Sequence, residues 1–515
     1  VLRYETLPER LNLATYFLDR NVDEGRGDRT ALLGAGGPTT YAELAGLTNQ
    51  VGHVLRDLGL RAGHRVLLAL NDGVEFVATW YAAQKLGAVT AEVYTFLPAK
   101  DYAYFLDYTH ADVVVVDPVT LDRVREAGTA GRQVLVVGAG GLDLRDNEHD
   151  FDALVPAAPT DLEAHHSLRD DVALWKFTTG STGTPKACVH TNRAPVLSHD
   201  WYARGVLDLR ADDIVLPVPK LFFGYARDLA ALYPFGVGAA GIVFAERTTP
   251  ERIFELIAEH RPTILVNVPT MMSAMVAHPA AADQDLSCLR LCTSAGEALP
   301  PELHRKWDKA FGVEVVDGIG SSEAYHIYIS NRPGAASTGV GTLVPGYRAR
   351  VVDPDGVEVP DGETGTLEII GATAALGYHG DPEKSARTFP GGDTVHTGDL
   401  FSRDADHVFH YQGRADDLLK VSGIWVAPSE IEHCLIGHPD VVECAVTGHE
   451  TDGLVRPYAY VVARAELDGE DLRAYVRERL SPHKTPERVI FVDALPRTIN
   501  GKLDRRALRQ LDVAR

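Results

Sequence analysis

Between residues 41 and 58 apolar side chains recur at helical spacing (Leu44, Val51, Val54, Leu55, Leu58), and Gly59 closes the run. Residues 65–70 then read as a fully buried strand. A second helix is predicted over 74–86, a strand over 88–93, a further helix, and a strand at 113–116, which is four consecutive valines. Helix and apolar strand alternate, the pattern of a mainly parallel sheet covered on both faces. The alternation resumes with strands at 264–266 and 289–291. After about residue 341 the pattern changes to short alternating strands (349–351, 365–370, 408–411) among Pro-Asp-Gly turns, which predicts a β-rich subdomain. From about residue 416 it changes again. Helix 429–436, strands 443–446 and 458–462, helix 470–480, strand 489–492 and helix 505–511 form an α+β unit with enough periodicity to fold alone. The expected fold is α/β: a large amino-terminal domain, 1–415, with the β-rich subdomain at about 341–415, and a small carboxyl-terminal domain, 416–515.

Composition narrows the function. The chain has 515 residues, 45% hydrophobic and 24% charged, with a net charge of −22. That balance argues against nucleic acid or an anionic membrane as partner, and any polyanionic ligand must meet a local set of Lys, Arg and backbone amides. Five cysteines, with no C-x-x-C spacing, read as free thiols in a reducing compartment. No apolar run reaches the ~18 residues of a membrane span or forms a signal-peptide core, so a cytoplasmic location is expected.

Chemistry concentrates in a few stretches. Thr178, Thr179, Gly180, Ser181, Thr182, Gly183, Thr184, Pro185 and Lys186 follow an apolar strand predicted over 172–177. Small and hydroxyl residues leave backbone amides free to wrap a phosphate chain, and Lys186 adds positive charge. Pro185 stands where a G-x-x-x-x-G-K-[ST] loop needs its second glycine, so this is not that motif; an ordinary flexible surface loop would have the same composition. Asp317, Gly318, Ile319, Gly320, Ser321, Ser322 and Glu323 make half of a dinucleotide fingerprint. A turn after a strand predicted over 314–316 places Glu323 behind two hydroxyls, where it can hold Mg²⁺ against phosphate oxygens or simply close an ordinary turn. Thr397, Gly398 and Asp399, the segment 413–423, and the segment 496–502 ending in Gly501 and Lys502 are each weak alone, because lone charges are usually solvated.

In this order, the stretches closely resemble the adenylate-forming superfamily of acyl-CoA synthetases, luciferases and peptide-synthetase adenylation domains. Lys220, Leu221, Phe222 and Phe223, the run 292–300, and Asp317 to Ser321 resemble its benzoate-CoA ligase-like branch. The resemblance covers about residues 41–508.

It implies an ATP-dependent carboxylic acid–CoA ligase. A carboxylate attacks the α-phosphorus of MgATP to give acyl-AMP and pyrophosphate, and the CoA thiol then displaces AMP. By resemblance, residues 178–186 hold the β- and γ-phosphates, and Glu323 with Ser322 positions Mg²⁺. Asp399 binds the ribose hydroxyls beside Arg414, and Gly296, Glu297, Ala298, Asp317, Gly318 and Ile319 form the adenine slot. Lys502 bridges carboxylate and α-phosphate, a cation where negative charge develops. Asp416 falls at the hinge of a mobile carboxyl-terminal domain, and Ser422 and Gly423 line a pantetheine tunnel. The acyl pocket is Phe222, Phe223, Gly224, Tyr225, Ala295, Ala324, Tyr325 and His326, an apolar aromatic slot for a hydrophobic acid. Gly224 and Ala324 free volume there, which favours a substituted aryl or bulky cyclic acid over benzoate. The partners implied are that acid and CoA, and a homodimer is an assembly compatible with the family.

Three departures stand out: Ala187 for glycine after Pro-Lys, Asn500 for Ser or Thr before Gly-Lys, and Ala324 for a bulkier residue. The first two keep open an enzyme that performs only thioesterification on acyl-AMP supplied by a partner. Transfer to a carrier-protein pantetheine, or a non-catalytic binding descendant of the same fold, also stays open.

Overall fold

The computed structural model describes residues 1–179, 184–335, 339–421, 424–451, 454–497 and 503–511. Two large sheets carry the first two-thirds of the chain. One has seven strands, parallel except for the closing hairpin Val172–Thr179 with Pro185–Thr191. The other has nine, with a parallel centre formed by Ile214–Pro217, Ala240–Ile242, Ile264–Asn267, Leu291–Ser294 and Val315–Gly320. Strands such as Val113–Val116 and Ile264–Asn267 are buried at every position, as helices on both faces require.

Local chemistry sets the helix starts. Thr40 caps Tyr41–Asp57 by accepting from the Glu43 amide, and the Glu43 carboxylate returns the bond to the Thr40 amide. Asp117 caps Pro118–Ala127, with proline at the first helical position where no amide partner is lost.

A four-stranded antiparallel sheet follows: Arg348–Val352, Thr364–Ile370, Thr394–Arg403 and Phe409–Arg414. Its inner face (Val351, Leu367, Ile369, Val395, Phe401, Phe409) joins the same apolar core as the large sheets, so the β-rich segment packs as part of the main body. The described residues from Leu419 onward build separate cores around the sheet Val441–Thr451, Leu454–Ala463 and Arg488–Phe491.

The observed elements follow the predicted order and differ in extent at several places; the strands predicted over 443–446 and 458–462, for example, run over Val441–Thr451 and Leu454–Ala463. The strand predicted over 314–316 runs from Val315 to Gly320, so Asp317 to Gly320 is strand rather than turn. It pairs antiparallel with Ile327–Ser330, and a Cβ on Gly320 would stand 2.5 Å from the His326 carbonyl oxygen, which explains the glycine. Residues 178 and 179 end one strand and 185 and 186 begin its partner, so this stretch is the tip of a hairpin. The helix predicted over 470–480 is Gly469–Arg477. Among the described residues no helix is long and apolar enough to cross a membrane.

Candidate active site

The carboxyl ends of Leu291–Ser294 and Val315–Gly320 open on a cavity of about 1580 Å³, the end of a parallel sheet at which ligands bind. Thr178, Gly296, Glu297, Ala298, Asp317, Gly318, Ile319, Ser322, Glu323, Asp399, Arg414 and Asp416 all line it. Five separate stretches of sequence are thus brought to one wall. Gly180, Ser181, Thr182, Gly183, Ser422, Gly423, Asn500 and Lys502 lie outside the described residues, as does the side chain of Thr179.

Asp399 and Arg414 are directly opposite each other on neighbouring strands, and Arg414 Nη1 donates to Asp399 Oδ1 at 2.9 Å and to the Thr397 carbonyl at 3.0 Å. Burial opposes the Arg414 charge, but Asp399 outweighs it and raises the guanidinium pKa further. The pair presents a fixed anion beside a fixed cation. Glu323 Oε1 accepts from the Tyr378 hydroxyl at 2.7 Å. Burial and the Glu323 charge push the Tyr378 phenol well above its ordinary range, so it remains a donor. Glu323 Oε2 has no hydrogen-bond partner among the described residues, leaving it open toward the cavity. One carboxylate oxygen fits Mg²⁺, which usually takes one or two protein ligands and completes its shell with phosphate and water. No cluster of three or more ligating side chains occurs among the described residues.

Asp317 is half-buried at the cavity wall, and the loss of solvent around it lifts its carboxyl to about 7. Glu297 Oε2 accepts from Thr270 Oγ1, and its other oxygen lies 3.5 Å from Arg497 Nη1, whose Nη2 reaches Glu443. Arg497 therefore connects the loop 296–298 to the carboxyl-terminal sheet.

Two expectations are corrected. Lys186 does not line the cavity; its ammonium pairs with Asp381. The cation that does line the cavity beside Tyr378 is Lys384, one turn into the helix Pro382–Thr388 that Asp381 caps. Ala187 is not in the left-handed region that would favour glycine. It is a buried strand residue whose amide donates to the Tyr108 hydroxyl, so its Cβ belongs to the core and does not displace the hairpin.

None of the eight acyl-pocket candidates lines this cavity. Phe222 and Phe223 pack against Tyr94, and the Leu221 amide donates to both oxygens of buried Asp72, fixing that segment. Tyr225 donates or accepts at Thr293 Oγ1 (2.6 Å), and its ring centroid is 5.7 Å from that of His326. Ala295, Ala324, Tyr325 and His326 are buried. Gly224 does not free volume for a larger acid: a Cβ there would fall 2.6 Å from Lys176 Cε and 2.8 Å from its Nζ, so Lys176 fills the place.

Lys176 belongs to a buried charged quartet that sequence reasoning missed. Its Nζ donates to Asp228 Oδ2 at 2.6 Å and to the Tyr325 carbonyl at 2.7 Å, and it lies 3.6 Å from the Tyr325 ring centroid. Arg227 pairs with Asp228 at 2.9 Å and with Glu92 at 2.8 Å, and Trp80 Nε1 donates to Glu92. Burial pushes Lys176 down and Asp228 up. Asp228 sits between two cations, which hold its carboxyl below the ordinary range, so the charges persist at neutral pH. The signal available in the sequence was an ionisable residue inside an otherwise apolar run, as at Lys176 in the strand 172–179. Tyr378 and Lys384 left no comparable signal.

Residues 18–379 match the family of AMP-binding enzymes, and residues 430–502 match the AMP-binding enzyme C-terminal domain. A benzoate–CoA ligase of Thauera aromatica is 40% identical over 516 residues, covering 98% of this chain and 96% of that one. The crystal structure of the anthranilate CoA ligase AuaEII in complex with anthranoyl-AMP superposes with a TM-score of 0.93 at 35% identity, covering 99% of each chain. A benzoate CoA ligase from Burkholderia xenovorans LB400 superposes with a TM-score of 0.88 at 38% identity, covering 97% of this chain and 99% of that one.

Proposed function

The chain belongs to the AMP-binding enzymes, and from that premise we propose that it is an ATP-dependent ligase joining an aryl carboxylic acid to CoA through an acyl-AMP intermediate. The observation that carries this reading is the convergence on one cavity of the Asp399–Arg414 pair, the loop 296–298, the strand 317–319 and Glu323. No isolated one of these specifies a nucleotide; a paired carboxylate, two backbone segments lining one cavity and a carboxylate held by a tyrosine hydroxyl together match ribose, base and phosphate-bound metal.

In this reading the adenine enters between 296–298 and 317–319. Asp399 accepts from the ribose hydroxyls, and Arg414 keeps it oriented. Charge-assisted hydrogen bonds of this kind contribute about 1.5–3 kcal/mol each. The hairpin tip 178–186 approaches the terminal phosphates, with Lys384 rather than Lys186 supplying the cation. Glu323, oriented by Tyr378, would hold Mg²⁺ with Ser322 alongside; the ion supplies charge neutralisation on the departing pyrophosphate. Lys502 acts at the carboxylate and α-phosphate, an electrostatic role. The carboxyl-terminal domain, 416–515, turns about Asp416 between the half-reactions, and Ser422 and Gly423 then border the pantetheine path. The aryl group occupies the set around Tyr225, Ala295, Ala324 and His326.

The strand geometry of Ala187 removes one physical reason for an enzyme confined to thioesterification. The test is to incubate the protein with ATP, CoA and a panel of aryl, alicyclic and short fatty acids, following pyrophosphate and thioester separately. Both products from an aryl acid are expected. Pyrophosphate without acyl-CoA would redirect the reading to a carrier-protein acceptor, thioester only from added acyl-AMP to the partial enzyme, and neither product would overturn it.

A further inference from the structure

We infer that Lys176, placed by Gly224 and held by Asp228, is a specificity-determining residue that selects aryl acids bearing a neutral substituent able both to accept and to donate a hydrogen bond. The inference rests on the aryl–CoA ligase reading and deepens it.

The first observation is what fills the space beside Gly224. An ammonium group and its last methylene stand where any larger side chain at 224 would go. A wall that an acyl pocket for plain benzoate would make aliphatic is here a cation, and the glycine is what admits it. The second observation is unsatisfied hydrogen-bonding capacity. An ammonium has three protons, and Lys176 gives two of them to Asp228 and the Tyr325 carbonyl. The third has no oxygen or nitrogen acceptor among the described residues and only the weak π-face of Tyr325 beside it, which a hydroxyl or amine lone pair outcompetes. His326 is 4% exposed, and burial together with the Lys176 charge pushes its imidazole down to about 3, so it is neutral. With Nε2–H donating to the Tyr225 carbonyl at 3.5 Å, Nδ1 presents a lone pair, and it has no partner among the described residues. A buried donor and a buried acceptor therefore remain open within the acyl set.

Charge decides what satisfies them. Lys176 and Arg227 balance Asp228 and Glu92, so the quartet is neutral and gives no net attraction to a second anion. A hydroxyl or amino substituent, by contrast, accepts from the Lys176 ammonium and donates to His326 Nδ1. A buried ionic cluster is also weak evidence for stability, because apolar residues of the same volume often serve as well or better. Its presence against the acyl set is better explained by recognition. A second structural sign is Tyr325, whose φ of +81° is uncommon for a bulky residue. That conformation accompanies its presenting both carbonyl and ring to the same ammonium.

The experiment compares kcat/KM for benzoate, the three hydroxybenzoates and the three aminobenzoates in the full-length protein. The wild type should prefer at least one hydroxy or amino acid over benzoate by roughly 10-fold or more, since a site built to hydrogen-bond a group rejects its absence. Whether hydroxyl or amine leads identifies the group. Lys176→Met leaves a net negative charge buried, so Lys176→Met/Asp228→Asn, which keeps the cluster neutral, is measured beside it with thermal melts. In the double variant that preference should fall by about the same factor, while a merely structural role would lower all acids alike. Equal use of benzoate and its substituted forms by the wild type, or an unchanged ratio in a folded double variant, would overturn the inference alone. A wild type that adenylates no aryl acid would instead remove the functional reading beneath it.

Discussion

The nucleotide wall and the acyl set lie on either side of one short segment, 321–326, yet they are built differently. On the nucleotide side, polar groups face the cavity from strands and loops and are held by neighbouring side chains, as Asp399 is by Arg414 on the next strand and Glu323 by Tyr378. On the acyl side, Glu92, Lys176, Arg227 and Asp228 come from three distant segments and meet in the core. The first arrangement meets a ligand that brings its own charge and metal. The second is closed on itself, with charges already neutralised before any acid arrives. In the proposed reading, the shared substrate is met by groups facing the cavity and the variable one by the interior.

That contrast predicts different costs on the two sides. Asp228→Ala should be the most damaging substitution to the fold: it leaves Lys176 and Arg227 without their shared carboxylate, and breaking a buried pair costs about 3–5 kcal/mol. Denaturant unfolding reads this directly, and a loss below about 1 kcal/mol would mean that the quartet is not the closed unit described. Lys502→Ala should do the reverse, leaving unfolding unchanged while acyl-AMP formation falls about 10²–10³-fold. Transfer from synthetic acyl-AMP to CoA should largely survive; equal loss in both half-reactions would break the assignment.

A subtler difference is titration. Burial raises the Asp317 carboxyl to about 7, so between about pH 4 and 7 the folded chain keeps a proton that the unfolded chain has released. Stability from this group is full below the unfolded pKa and declines as pH rises through that window, at most by ~1.4 kcal/mol per unit. Asp317→Asn should therefore flatten that decline, with the variant gaining on the wild type from pH 5 to 8 in melts at matched ionic strength. A parallel pair of curves would show that Asp317 ionises normally. The smallest effect is expected at Ala187. Ala187→Gly should cost about 0.5–1 kcal/mol from strand entropy and should not raise pyrophosphate release; an increase would restore the case for a misplaced hairpin.

The same division governs how much could be read from sequence. Buried parallel strands such as 113–116 announce themselves as apolar runs, and the order of elements followed. The continuation of the strand 315–320 beyond residue 316 did not, because its glycines read as a turn although Gly320 is dictated by the approach of His326 across the sheet. Asp399, Arg414, Glu323 and the 296–298 loop, which the structure brings to one cavity, could be singled out in the sequence because each lies in a short contiguous stretch. The quartet could not be: its members share no local pattern, and only folding brings them within hydrogen-bond distance. Lys186 looked like the phosphate cation because of its position beside the hairpin tip, but Asp381, far along the chain, claims it.

Arg497 touches Glu297 at 3.5 Å with both side chains about 30% exposed, a spacing at which a pair is worth about 0–1 kcal/mol. Coupling free energies are reciprocal, so any ligand that shifts Glu297 changes how the carboxyl-terminal segment is seated, and the seating changes that ligand's affinity by the same factor. At 1 kcal/mol the factor is about five. A contact of that size registers the seating without locking it.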